Sequence, residues 1–145
     1  MSISSWLTVN VSSHLDAFSL FMALSKVGWN PVFKGEISIL PIADGDRFAW
    51  KSMPADELDL AISEMREKGA SGEVIGVVMT YGDSERGCDF LFNPGGTIDI
   101  STAVNRKIMD GPVRATAIEW YVGVIHLTFA EIGVTITSIA WSETY

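Results

Sequence analysis

The residues able to do chemistry in this chain are few and scattered. His14 and His126 are the only histidines, and Cys88 is the only cysteine. A general base or metal ligand needs partners at defined spacing, and neither histidine has one placed by the sequence. Cys88 lies between Arg86 and Asp89 without a histidine at a diagnostic spacing. A reactive thiol needs a neighbour that lowers its pKa, so Cys88 reads as a small buried residue entering a strand. Asp83, Glu85 and Asp89 could pair as carboxylates for acid–base work, but no cleft motif accompanies them. Asp44-Gly45-Asp46 opens like a calcium loop and then supplies no ligand series. Asn93-Pro94-Gly95-Gly96-Thr97 is glycine-rich, lacks the lysine of a phosphate loop and precedes a strand. Both read as turns. The expectation is a chain without catalytic residues, metal ligands or cofactor.

Charge is more informative. The chain carries a formal net charge of −8, and residues 44–89 hold eleven acids and five bases, leaving only −2 for the rest. An acidic surface repels phosphate backbones and speeds encounter with basic partners. Arg106, Lys107 and Arg114 form a basic spot too small to grip nucleic acid. The partner-binding candidates are therefore Asp44 and Asp46 in one turn, Asp83, Glu85 and Asp89 in another, and Glu57, Glu64 and Glu67 on a helix.

The elements that must position these groups follow from periodicity. Residues 5–11 alternate Leu7, Val9 and Val11 with Trp6, Thr8 and Asn10, a half-buried strand. Ser13 and Asp16 have capping-box spacing for a first helix that Gly28 ends. Residues 31–42 and 46–53 read as two strands joined at Asp44-Gly45. Residues 54–69 form an amphipathic helix with Leu58, Ala61, Ile62 and Met65 on one face. Strands follow over 73–81, 88–92 and 97–102.

The stretch 114–133 is rich in β-branched residues, yet Ile118, Tyr121, Val122, Ile125, Phe129 and Ile132 make one helical stripe. Thr116 with Glu119 has capping-box spacing, and Gly133 ends the helix. β-Branching costs only a few tenths of a kcal/mol per residue against alanine, which core burial outweighs. Trp120, Val124 and Leu127 make a second ridge, expected to be buried, with contact to another chain as the alternative. Residues 134–141 alternate as a last strand.

The order β-α-β-β-α-β-β-β-α-β implies one α+β domain over residues 1–145, a mostly antiparallel sheet with three packed helices. Its first six elements match the split βαβ plan. Hydrophobic residues at 48% and a length of 145 support a core without disulfide or metal. No apolar run is long enough to span a membrane, and the first residues lack the pattern of a signal peptide. With one cysteine, the expected compartment is the cytosol.

The final third, from TIDISTAVNRKIMDG through IEWYVGVIHLTFAEIG to VTITSIAWSE, resembles bacterial immunity proteins of polymorphic and contact-dependent growth-inhibition toxin systems. The resemblance implies a non-catalytic inhibitor of a cognate toxin domain. A nuclease toxin is basic because it grips phosphates, and an acidic inhibitor presents carboxylates to that surface. The alternative is a small-molecule-binding or regulatory α+β module, whose apolar pocket Trp6, Trp50 or Trp120 would line. An enzyme built on Asp83, Glu85 or His126 is a third reading.

Overall fold

The structure, a computed structural model, describes residues 3–42 and 49–145. The chain runs β1 (Ser4–Ser12), α1 (Ala17–Ser25), β2 (Trp29–Asn30), β3 (Val32–Phe33), β4 (Glu36–Ile39) and β5 (Lys51–Pro54). A 3-10 turn, Ala55–Glu57, leads into α2 (Leu58–Ala70). Then come β6 (Ile75–Tyr81), β7 (Gly87–Phe92), β8 (Thr97–Val104), α3 (Ile118–Glu131) and β9 (Thr135–Thr144). One sheet takes the order β3-β4-β6-β7-β8-β1-β9, with β2 on β6 and β5 on β4. Its strand pairs are antiparallel. This is the α+β arrangement of three helices on an antiparallel sheet that the element order implies.

Two details of connectivity differ from the sequence reading. The strand expected over 31–42 breaks at Lys34 and Gly35, whose φ values of 52° and 77° make a two-residue turn between β3 and β4. The split βαβ plan is not formed, because β1 pairs with β8 and β9 rather than with the strands that follow α1. The hairpin expected around Asp44-Gly45 exists in its arms, since β4 pairs with β5. Its turn, with Asp44 and Asp46, lies outside the described residues.

The strands bury alternate residues, as a period of two requires. Leu7 and Val9 of β1, Ile98 and Ile100 of β8, Phe90 and Phe92 of β7, and Ile75 and Val77 of β6 form one core face. Leu20, Phe21 and Leu24 of α1, Ala61 and Met65 of α2, and Tyr121, Ile125 and Phe129 of α3 join the same cluster. All three helices therefore pack on one side of the sheet. Trp29 is fully buried among them, with its ring 4.9 Å from Phe90 and its indole N–H donating to Thr128 Oγ1 at 3.1 Å. Burial of each such aromatic contributes about 1.5–3 kcal/mol.

Helix starts deviate from the capping expectation. At α1 the cap is Asp16, which accepts from the Ser19 amide at 2.8 Å; Ser13 instead accepts from the Leu15 amide. That bond from Ser19 holds the Asp16 carboxyl below its usual range. Gly28, at φ 110°, turns the chain after α1, and a Cβ there would meet the Tyr81 ring at 2.9 Å. The stripe of α3 is core as expected, with Tyr121, Ile125 and Phe129 buried. Its capping box is not formed. Thr116 gives its amide N–H and its hydroxyl to Glu143 of β9, not to Glu119. The second ridge is only partly buried: Val124 is enclosed, Trp120 is half-buried, and Leu127 is 52% exposed.

Candidate functional site

With the helices on one face, the other face of β1, β8 and β7 carries half-buried side chains, while Leu40 covers part of β6. The alternation that buries Leu7 and Val9 turns Trp6, Thr8 and Asn10 the opposite way. Register aligns them into cross-strand rows. Trp6 pairs with Ser101, and Ser101 with Asp89; in the next row Thr8 pairs with Asp99, and Asp99 with Leu91. Asp89 and Asp99 are thus diagonal neighbours on adjacent strands, with Cα atoms about 7–8 Å apart.

A trough of about 400 Å³ lies on this face, lined by Trp6, Trp50, Asp89, Leu91, Asp99, Ile100 and Ser101. Trp50 comes from the chain before β5. On the other side of Asp89 and Leu91, Leu40 lies against Gly76, where a Cβ would come within 2.5 Å of it. Glycine at 76 lets the segment after β4 rest directly on β6. Trp6 and Trp50 are each 38% exposed.

The two carboxylates differ in state. Asp99 is held by Thr8 Oγ1 and Asn93 Nδ2, each donating at 3.1 Å. Thr97 Oγ1 donates to Asn10 Oδ1 at 2.8 Å in the adjoining row, so this side of the face is a fixed polar ladder. Asp89 makes no hydrogen bond among the described residues, and burial pushes its carboxyl above the ordinary aspartate range. Among the described residues that line the trough there is no lysine or arginine. The arrangement offers negative charge between two indoles over an apolar leucine.

The remaining candidate carboxylates are distributed elsewhere. Glu57 and Glu67 are exposed at and along α2. Glu64 pairs with Lys51 at 3.4 Å across to β5. Asp83 and Glu85 occupy the β6–β7 turn and line a separate hollow with Lys34 and Phe33. Asp89 does not belong to that turn, as the sequence grouping had it; it lies within β7 on the open face. Of the three tryptophans considered as pocket walls, Trp6 and Trp50 line the trough. Trp120 packs instead on Tyr81 and Tyr121.

Sequence reasoning passed over Asp99, Leu91 and Ser101. Their signal was available: Asp99 and Ser101 alternate with Ile98 and Ile100, as Leu91 does with Phe90 and Phe92.

No family model, curated protein or solved structure matches this chain. The functional reading therefore rests on the site itself.

The groups that could support other chemistry are apart. His14 and His126 are exposed, whereas Cys88 is buried in the core and burial drives its thiol far above the ordinary range. Among the described residues, no group of three or more His, Cys, Asp or Glu could hold a metal ion. No helix among them is long and apolar enough to cross a membrane. The basic spot is structural in part: Arg106 donates to Thr116 Oγ1 at 2.8 Å and lies 3.8 Å from Glu143.

Proposed function

We propose that this chain is an immunity protein that binds a basic toxin domain, of nuclease type, through the open face of its sheet and blocks that domain's substrate site in the cytoplasm. The observation that carries the reading is Asp89, a carboxylate with no hydrogen-bond partner among the described residues, which lines a trough with Asp99, Trp6 and Trp50 on the face opposite the described helices. Tryptophan is among the residues that most often anchor an interface, and arginine is among those that most often pair with such anchors. A phosphate-gripping surface supplies the complementary cations. The acids outside the trough, including Glu57, Glu67, Asp83 and Glu85, act at longer range by raising the encounter rate. No catalytic residue or cofactor is required.

The test is co-expression with the toxin domain encoded immediately upstream of the chain's own gene. Protected growth and a one-to-one complex that survives gel filtration support the reading. The absence of both protection and a complex refutes it.

A second reading has its own support. A 400 Å³ hollow walled by two tryptophans falls within the size range of small-molecule sites, which suits a small-molecule-binding or regulatory module. Thermal stabilisation by a panel of small metabolites, with no protein partner encoded nearby, favours that alternative.

A further inference from the structure

Resting on the inhibitor reading, we propose that the trough between Trp6 and Trp50 is the seat of an arginine side chain of the partner, with its guanidinium on Asp89. Four features of the site point to this group.

The first is the unmet acceptor. Asp89 lies in β7 between Ser101 of β8 and Val78 of β6, and no donor among the described residues reaches it. A partly desolvated carboxylate without a donor weakens the fold, and a cation that brings its own donors relieves the strain. The second is the pair of indoles. A guanidinium is planar and weakly hydrated, and it stacks on aromatic faces while donating in its own plane. A lysine ammonium is a strongly hydrated point charge that gains less from such walls. The third is Asp99. Thr8 and Asn93 each give it one hydrogen bond, which fixes its carboxylate and leaves acceptor capacity on both oxygens. It contributes negative potential and further acceptor sites beside Asp89.

The fourth is shape. At about 400 Å³ the trough has room for an arginine side chain and part of a flanking residue. Arginine therefore enters with a flanking residue, whose apolar part rests on Leu91. An anion is excluded by the two carboxylates. A metal ion is poorly served by two carboxylates on diagonal positions without a third ligand.

The experiment uses the whole chain labelled with ¹⁵N and two probes, N-acetyl-arginine amide and N-acetyl-lysine amide. The arginine probe is expected to shift the indole N–H signals of Trp6 and Trp50 saturably, leaving that of the buried Trp29 in place. The lysine probe is expected to bind at least tenfold more weakly. Asp89→Asn, which removes charge without removing volume, is expected to weaken the arginine probe at least tenfold. Glu131→Gln, an exposed change at the end of α3, is expected to leave it unaltered.

Equal binding of the two probes, an undiminished response in Asp89→Asn, or no shift at Trp6 overturns the seat. The outcomes separate this inference from the inhibitor reading. Arginine binding without any toxin complex leaves the seat standing and removes the inhibitor. A toxin complex indifferent to Asp89→Asn keeps the inhibitor and removes the seat.

Discussion

Glu143→Gln tests how the entrance to α3 is held. The Glu143 side chain is only 3% exposed, although β9 is an edge strand. One oxygen accepts the Thr116 amide at 2.9 Å and the Thr116 hydroxyl, with the Arg106 guanidinium 3.8 Å away. The other accepts from Tyr145. Since Ala117 gives α3 no side-chain cap, this carboxylate is what ties the segment before the helix to the sheet. Hydrogen bonds to a charged acceptor contribute about 1.5–3 kcal/mol each, against about 1 for neutral ones. Glutamine keeps a carbonyl but loses the charge, which costs roughly 1 kcal/mol at each Thr116 bond. The partly exposed Arg106 pair adds up to about 1 kcal/mol. The expected loss is about 2–3 kcal/mol, or a melting point lower by about 4–12 °C for a domain of this size.

The pH dependence of this loss has a definite sign. Burial pushes the Glu143 carboxyl up, but the Thr116 and Tyr145 hydrogen bonds and the Arg106 charge outweigh it, so its pKa in the folded chain is lowered. A lowered pKa gives stability that is present above the unfolded value and lost as pH falls through the folded one. Urea titrations followed by tryptophan fluorescence should show the full gap between wild type and Glu143→Gln at pH 7. The gap should shrink once the pH falls below the ordinary glutamate range. A variant within about 0.5 kcal/mol of wild type at pH 7, or a gap that widens in acid, refutes this account of the anchor.

Ile125→Ala and Phe129→Ala, both at fully enclosed positions, should each lower stability by about 2–5 kcal/mol, read as a shift of the denaturant midpoint. Asp89→Asn should stabilise the free protein at neutral pH: burial raises the Asp89 pKa, so its stabilising contribution is present below the unfolded value and lost as pH rises through the folded one. Melting curves from pH 3 to 7 check this, and a variant less stable than wild type at pH 7 contradicts it. Cys88 should resist a thiol reagent in the native state and react only as fast as the chain opens, because its thiol is enclosed and held protonated. Rapid modification without denaturant contradicts its placement in the core.

What the sequence made legible was whatever a single segment determines. Leu7, Val9 and Val11 against Trp6, Thr8 and Asn10 already separate two faces of one strand, and the stripe from Ile118 to Ile132 is core despite its β-branched residues. What needed a partner could not be read. Thr116 has capping-box spacing to Glu119, yet it is taken by Glu143, 27 residues further on. Ser13 and Asp16 are both good caps; Asp16 takes the Ser19 amide at the helix start, and Ser13 takes that of Leu15 before it. The trough was out of reach for the same reason. Trp6, Asp89 and Asp99 meet only because β1, β8 and β7 pair in a register that no local pattern specifies, and Trp50 arrives from a connection rather than an element.

Cys88 and Asp89 show how tightly site and fold are coupled. They are neighbours in β7, and burial raises the pKa of both, but they face opposite sides of the sheet. A slip of one residue in β7 would send Asp89 among Phe and Ile side chains and bring Phe90 to the open face. An ionised carboxylate in that core costs far more than the half-burial it meets in the trough. Asp89 therefore disfavours the wrong register from the open side, while Phe90 and Phe92 select the right one from the core side. On β1 the two tasks separate cleanly: Leu7 and Val9 carry the core, while Trp6, Thr8 and Asn10 carry the open face. A change at Trp6 alters the wall of the trough without touching a core contact. The face of β1 opposite the helices can therefore vary while the helices and the register stay intact.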